Sequence, residues 1–562
     1  MRSVITSARH QGEPTRGSPR NATMKIAEYI FKQLKAHGVQ HSFGIPGDFI
    51  LPLYAAQEAS GIKCIVMTHE PSAGYAADVY ARLKGLGLAT VTYGAGALNM
   101  VNAVALAYAE ESPVLVLTGA PEVKFRNPNM LFHHRVKTFE TQHNVYREVT
   151  ASSAVINDES TAIHDIDRVI ETTRALSRPG YIEVPRDMVN QKVSVPPRSP
   201  YTPPKRSKAE LDEAMAEIIG RLRHAKKPVV YAGVELHRLR LVDKLRTLVE
   251  RLNLPVTTSL MGKTVLPEHH PNFIGNYMGR VGPRAVRDYV ESSDCVLVLG
   301  QFWSDLDTGL FTARPNVANL IQATTQEVVI SHHRYTEINV ADVLDALLKA
   351  RALKHSRFQV HPIAKEPPRA ESQGHKLTML GIIDELNQFL SRDHIVVSDV
   401  GDCLFASVEL KADMFVGSGY YASMGQGVPG AIGAQCADPS HRPVVLVGDG
   451  GFQMNGVELS VARRYGLNPI VIIIDNGTFA TLKFIDQDRD YFDVPRWDYA
   501  GVAHALGGKG RRVITRSEFK AALKAADDSA DFFVIDAVID KNDSSPALKR
   551  LGHEIGLKFK KR

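Results

Sequence analysis

The chain is built around short apolar runs with little polar alternation, most of which end on glycine or a carboxylate. CIVMTHE, LATVTYG and SPVLVLTG come first, then KPVVYAG, LPVTTS and CVLVLG, then HIVVSDVGD, RPVVLVGDG and NPIVIIIDN. A strand with one wet face alternates, whereas a strand buried on both faces does not. Helical periods separate the runs, and strand–helix alternation predicts parallel sheets covered on both sides. Two Pro-rich polar stretches, Val195–Ser207 and Arg357–Lys376, bury little area and read as linkers. The expected fold is therefore α/β, with three doubly wound parallel-sheet domains over 24–194, 208–356 and 377–545, a C-terminal tail over 546–562, and a disordered extension over 1–23. Ligands of such sheets sit at the carboxyl ends of the strands, so the residues just after each run carry the most information.

Composition removes several functions. The net charge of +6 over 562 residues is small, and Lys and Arg are scattered among acids except in the terminal run Lys558–Arg562. No basic stripe carries interleaved aromatics, which argues against nucleic acid. The four cysteines, Cys64, Cys295, Cys403 and Cys436, form no CxxC pair, so a reducing, cytoplasmic setting is expected. No apolar stretch approaches the ~20 residues of a membrane-spanning helix. Residues 1–23 contain Arg, Ser and Pro, one acid (Glu13) and no apolar segment. That excludes a secretory signal and leaves open an organelle transit peptide. Met24 opens a helix-like pattern, MKIAEYIFKQLKAHG.

In the third block, Gly448-Asp449-Gly450-Gly451 ends one run and Asn476 ends the next. The glycines let backbone N–H groups approach an anion, and the helix that follows adds its positive end. Asp449 and the Asn476 amide offer hard oxygens. With the backbone carbonyl of Thr478, a diphosphate and a water they would complete the octahedral shell that Mg²⁺ prefers. Standing alone, the segment also reads as a glycine turn with an Asp cap.

This segment resembles the thiamine-diphosphate signature, with Asp475-Asn476 where that signature usually shows two asparagines. FGIPGDF, THEPSAGYAADVYAR, VTYGAGALNMVNAVA, DVGDCLF and YYASMGQGVPGAIGAQ extend the resemblance over residues 24–545. The chain is similar to the pyruvate/indolepyruvate/phenylpyruvate decarboxylase family, most closely the bacterial phenylpyruvate decarboxylase type. The resemblance implies a pyrimidine-binding first domain, a middle domain without catalytic groups, and a third domain binding diphosphate and Mg²⁺. It implies non-oxidative decarboxylation of a 2-oxo acid through a thiamine diphosphate C2 carbanion.

Glu70 follows CIVMTH and precedes a small-residue helix, where an acid also suits the helix dipole. The resemblance makes it the carboxylate that activates the aminopyrimidine ring. It makes Met424 the apolar wedge that bends the cofactor, gives the Ala422 carbonyl the 4′-nitrogen, and sets Asp402 and Cys403 beside the cofactor. On composition alone Met424 is a core methionine.

Asp48 lies in a turn, and adjacent His133 and His134 need a loop if both are to act at one point. His269-His270 and His332-His333 are similar pairs to which no role is assigned. The resemblance sets Asp48, His133 and His134 at the active centre as proton carriers, a task that histidine suits. Read as zinc ligands, the pair lacks a third ligand at a usual spacing. The family's usual further acid is replaced by Leu482, with Asp305 and Asp402 as acids that could act nearby. Thr481 leaves more room than the Ile of pyruvate-selective relatives, which favours aromatic 2-oxo acids such as phenylpyruvate or indole-3-pyruvate.

The resemblance also implies an active site shared between subunits, hence a homodimer at least, with a homotetramer expected. Three alternatives stand: a carboligase of the same fold, acetolactate-synthase-like; a thiamine-diphosphate-binding protein without turnover; and a flavin or nicotinamide oxidoreductase built on the middle block. That block lacks a GxGxxG after KPVVYAG.

Overall fold

The computed structural model of the chain describes residues 22–127, 129–195, 206–354, 357–360, 376–483, 485–486 and 489–559. Most of both Pro-rich stretches, residues 1–21 and the end of the terminal basic run lie outside the described residues.

Three sheets carry the fold, and the apolar runs are their strands. The first has six parallel strands in the order Lys63–Val66, His41–Gly44, Gly87–Val91, Val114–Ala120, Gly180–Pro185, Ser152–Val155. The third has six parallel strands in the order Phe415–Gly417, His394–Ser398, Arg442–Gly448, Ile470–Asp475, Phe533–Val538, Lys509–Val513. With strands counted along the chain within each sheet, the two orders are the same. Central strands are buried on both faces, as Val114–Ala120 and Ile470–Asp475 are at every position.

The middle sheet has seven strands, and five of them, through Leu320–Ala323, are parallel. The last two, Val328–Ile330 and His333–Tyr335, run antiparallel, which departs from the wholly parallel expectation. Their connection, Ser331-His332, is too short for a crossover helix, so the chain must double back.

Two boundaries also differ from expectation. Ala22–Lys25 is a strand paired antiparallel with Lys192–Val195, so Ala22 and Thr23 belong to the folded part and Met24 lies in a strand. The helix starts at Ile26, where Ile26, Ala27, Ile30, Phe31 and Leu34 make one buried stripe. Residues 546–559, expected as a tail, form the helix Pro546–Phe559. Ala547, Leu548, Leu551 and Ile555 fall on one helical face and join the third domain's core.

The first and third domains meet through equivalent helices. Glu70–Lys84 presents Ala73, Ala76, Ala77 and Ala81, and Gly427–Ala437 is buried along its whole length. A Cβ on Gly433 would stand 2.1 Å from the Ala76 carbonyl oxygen, so the small residues set the approach of the two helices. Among the described residues no helix is long and apolar enough to cross a membrane.

Candidate active site

A cleft of about 620 Å³ opens at the carboxyl end of the third sheet. Gly448 ends the strand Arg442–Gly448 and Asp449 starts the next helix. Asn476 follows the neighbouring strand, so two parallel strands deliver the two side chains side by side. Asp449, Asn476 and Thr478 are all nearly buried. The Gly450 N–H donates to Asp449 Oδ1 at 2.8 Å and the Gly477 N–H to Oδ2 at 2.7 Å. The Thr478 N–H donates to Asn476 Oδ1 at 3.0 Å.

Burial pushes the Asp449 carboxyl up to about 6, against the pull of those two amides. This is a preset group of hard oxygens in which Asp449 makes no ion pair among the described residues, and that fits a Mg²⁺-type cation. Asp475, in the place of the usual asparagine, points to the other face of the strand as the period of two requires. It is fully buried, within 3.7 Å of Arg496 and 3.5 Å of Arg512, and stays out of the cation group.

Ala422 and Met424 line the cleft from a loop. Ala422 has φ +57, a left-handed conformation that is costly for a residue with a Cβ, and Gly425 takes φ +91, which glycine accommodates. Two buried carboxylates that the sequence reading did not single out hold the loop there. Asp399 accepts from the N–H groups of Gly425 at 3.1 Å and Gly427 at 2.9 Å. Glu110, from the first domain, accepts from the Ser418 hydroxyl at 2.7 Å and from the N–H groups of Tyr420 and Tyr421 at 3.0 Å each. Arg82 pairs with Glu110 at 3.0 Å and Asp78 at 2.8 Å, all three almost without solvent. Asp399 stands at the end of an apolar run, which was a usable signal. Glu110, in AEESP, carried none.

Asp402 and Cys403 line the same cleft. The Asp402 carboxylate is already engaged, accepting the Ser545 N–H at 2.9 Å just ahead of the C-terminal helix. Burial raises it to about 6. Cys403 is buried in the core beneath. Thr481, Leu482, Ile485, Leu551 and Ile555 give the cleft an apolar wall, and the middle domain adds Asp305, Leu306 and Leu310.

A second group gathers at the carboxyl end of the first sheet. Asp48 sits in the turn after His41–Gly44, and His133 and His134 in a turn beyond Val114–Ala120. His133 Nε2 lies 2.7 Å from Asp48 Oδ2. Burial alone would raise the Asp48 carboxyl, but its hydrogen bond and attraction to His133, with smaller contributions, hold it below the usual range.

Adjacent histidines converge because His134 takes φ +66. The His133 ring stacks on buried Phe49 at 4.6 Å, and the His134 ring meets the edge of that ring at 6.1 Å. Gly94 makes room, since a Cβ there would stand 2.2 Å from the His134 carbonyl oxygen. Glu70 begins its helix, and the Asn99 amide donates to its Oε2 at 2.7 Å.

Asp48, Glu70, His133 and His134 are absent from the lining of the Asp449 cleft. Within one chain the two groups of residues face separate places. Of the other histidine pairs, His269 reaches Asp413, His270 reaches Glu250 and accepts the Asn272 N–H, and His333 reaches Glu217.

Comparison with known proteins follows the same division. The N-terminal thiamine pyrophosphate enzyme domain matches residues 24–145, the central domain 215–350 and the C-terminal thiamine pyrophosphate-binding domain 399–537. The chain is 38% identical over 533 residues to the indole-3-pyruvate decarboxylase of Azospirillum brasilense, covering 94% of this chain and 97% of that one. It is 30% identical to an alpha-keto-acid decarboxylase of Mycolicibacterium paratuberculosis, over 92% and 93% of the two chains. It is 27% identical to pyruvate decarboxylase isozyme 3 of Saccharomyces cerevisiae, over 88% and 92%.

Proposed function

Because this chain belongs to the thiamine pyrophosphate-dependent 2-oxo acid decarboxylases, we propose that it acts on aromatic 2-oxo acids, with Mg²⁺ at Asp449, Asn476 and Thr478 and with Glu70, Asp48, His133 and His134 supplied by a partner copy. The observation that carries the substrate class is the apolar wall of the cleft. Leu306, Leu310, Thr481, Leu482, Ile485, Leu551 and Ile555 form one wall of the cleft of about 620 Å³ that Asp449 and Asn476 also line, which suits a flat apolar side chain beyond a diphosphate. The name of the Azospirillum relative, indole-3-pyruvate decarboxylase, points the same way.

Thiamine diphosphate, once bound, supplies the electron sink for the pair left by the departing carboxylate. The chain's own residues do the rest. Asp449 and Asn476, pinned by backbone amides, would hold the cation, and Gly448, where a Cβ would meet nothing within 4 Å, leaves room for phosphate. Glu70, whose Oε2 accepts from the Asn99 amide, would share a proton with a bound pyrimidine ring. Leu482 brings no acid to the cleft, and the acids considered in its place are engaged, Asp402 accepting the Ser545 N–H at 2.9 Å and Asp305 the Leu306 N–H at 2.8 Å, so proton delivery after CO₂ leaves is assigned to His133, His134 and Asp48.

A shared active site accounts for a reactive group that its own chain's cleft does not contain. The test mixes two inactive variants, Asp449→Ala and Glu70→Gln, by unfolding and refolding them together. A dimer that shares its sites regains about a quarter of the wild-type sites by random pairing. Two self-contained subunits regain none. A CO₂-release panel on the wild type then ranks substrates. kcat/KM for phenylpyruvate and indole-3-pyruvate is expected above that for pyruvate, with aldehyde as product. A higher value for pyruvate refutes the aromatic preference, and 2-hydroxy ketone as the main product favours the carboligase.

A further inference from the structure

The sequence offered two adjacent histidines and no third zinc ligand at a usual spacing. The fold supplies one from far away in the chain. Asp48, His133 and His134 each present one ligand atom, and the three atoms lie within 4.8 Å of one another. We propose that Asp48, His133 and His134 form a transition-metal site, selective for Zn²⁺-type ions over Mg²⁺, and that its occupation reversibly inhibits decarboxylation. The inhibitory clause rests on the function proposed above; the binding clause does not.

Zinc takes imidazole nitrogen and carboxylate oxygen at about 2.0–2.2 Å in a tetrahedron, which spaces the ligand atoms about 3.3 Å apart. The His133–Asp48 contact of 2.7 Å is a hydrogen bond that must open slightly, and the wider separations must close. Both movements lie within the reach of exposed side chains: His133 is 59% exposed and Asp48 45%. The backbone has already done the costly part. The left-handed conformation of His134 turns two sequential rings toward one point, and their centroids stand 4.9 Å apart. Phe49 braces both rings from beneath, which fixes their planes before any ion arrives.

Two histidines and one carboxylate leave a fourth position for water, the pattern of an open zinc site. The donor chemistry also keeps the two metals of this protein apart. Imidazole suits Zn²⁺, Ni²⁺ and Cu²⁺, whereas Mg²⁺ prefers the oxygen donors at Asp449 and Asn476. An ion held by His133 and His134 takes the lone pairs that would otherwise carry a proton, so the same residues cannot serve turnover while it is bound.

The decisive probe is Co²⁺, which reports tetrahedral nitrogen–oxygen coordination by intense visible absorption and octahedral oxygen coordination by weak absorption. Cofactor-free protein with saturating Mg²⁺ is titrated with Co²⁺. The expected result is an intense band that saturates at about one equivalent per chain. It should be lost in His133→Gln and in Asp48→Ala, and retained in His269→Gln and in Asp449→Ala. Circular dichroism of each variant confirms that it is folded. A band that survives in His133→Gln and Asp48→Ala, or only weak octahedral absorption in the wild type, overturns the site. In the holoenzyme with excess Mg²⁺, one equivalent of Zn²⁺ is expected to lower kcat at least tenfold, with recovery on adding a zinc-selective chelator. Undiminished turnover at a Zn²⁺ level that saturates the site overturns the inhibitory clause. The absorption assay is informative even if the protein turns over no 2-oxo acid, so failure of one reading is separable from failure of the other.

Discussion

Asp48 and Asp402 occupy equivalent places on two sheets of the same strand order, each four residues beyond the end of its strand, at Gly44 and Ser398. Their surroundings differ completely. Asp48 is exposed and bonded to His133, and its carboxyl lies below the usual range. Asp402 is buried, holds the Ser545 N–H, and is raised to about 6. The same holds for the residues that follow the later strands. On the third sheet Asp449 and Asn476 are sealed and pinned by main-chain amides, whereas on the first sheet His133 and His134 are held by a ring stack and side-chain contacts. Strand order decides where a side chain emerges, and the cover above it decides whether it is sealed and pinned by the main chain or left exposed among other side chains.

That contrast breaks most sharply at the anchor. Asp449→Ala removes the buried carboxylate of the proposed cation site, and on that proposal activity is expected to fall below detection with loss of Mg²⁺-dependent cofactor binding, read by calorimetry. Glu70→Gln is expected to lose about 10²- to 10⁴-fold in kcat while calorimetry shows cofactor binding retained. If the two variants lost binding equally, the division between anchor and reactive group would be wrong.

Gly94→Ala sharpens the comparison on the reactive side. The new Cβ would meet the His134 carbonyl oxygen at 2.2 Å, and Gly94 has φ +70, where a side chain is strained. The turn must shift, and a displacement of about 1 Å can cost ~10²-fold in rate. The expected outcome is a drop of that order in kcat with cofactor affinity unchanged. A wild-type kcat would mean that the His pair tolerates displacement and needs no fixed position.

How far the sequence anticipated this molecule follows from the same distinction. Asp449 and Asn476 were legible because each ends an uninterrupted apolar run, and parallel pairing brings such ends together. The convergence of His133 with His134 was not, since it depends on one left-handed residue and on Phe49 beneath, neither of which has a periodic signature. Glu110 grips the Met424 loop from another domain, and no local pattern marks a contact across 310 residues of chain. The helix Pro546–Phe559 was legible in retrospect, from the apolar spacing of Leu548, Leu551 and Ile555. In so short and charged a segment the periodicity, rather than the composition, marks the helix.

The smallest effect tests the cause assigned to the Asp402 environment. Its pKa is raised from 3.8 to about 6 by burial, so between those values the folded chain binds more protons than the unfolded chain. Stability from this group is therefore fully present below about pH 4, falls as pH rises to about 6, and stays lower above it. Asp402→Asn keeps an oxygen for the Ser545 N–H and has no charge to bury. The variant and the wild type are expected to differ by a constant amount below pH 4. The gap should then move in favour of the variant between pH 4 and 6, by an amount on the order of 1–3 kcal/mol, measured by denaturant unfolding. An equal gap at every pH would mean that the Ser545 N–H, shared between the two carboxylate oxygens, offsets the burial and that the ionised form suits the fold. Asp402 would then be a charged cap for the C-terminal helix, closer in character to Asp48 than its burial implies.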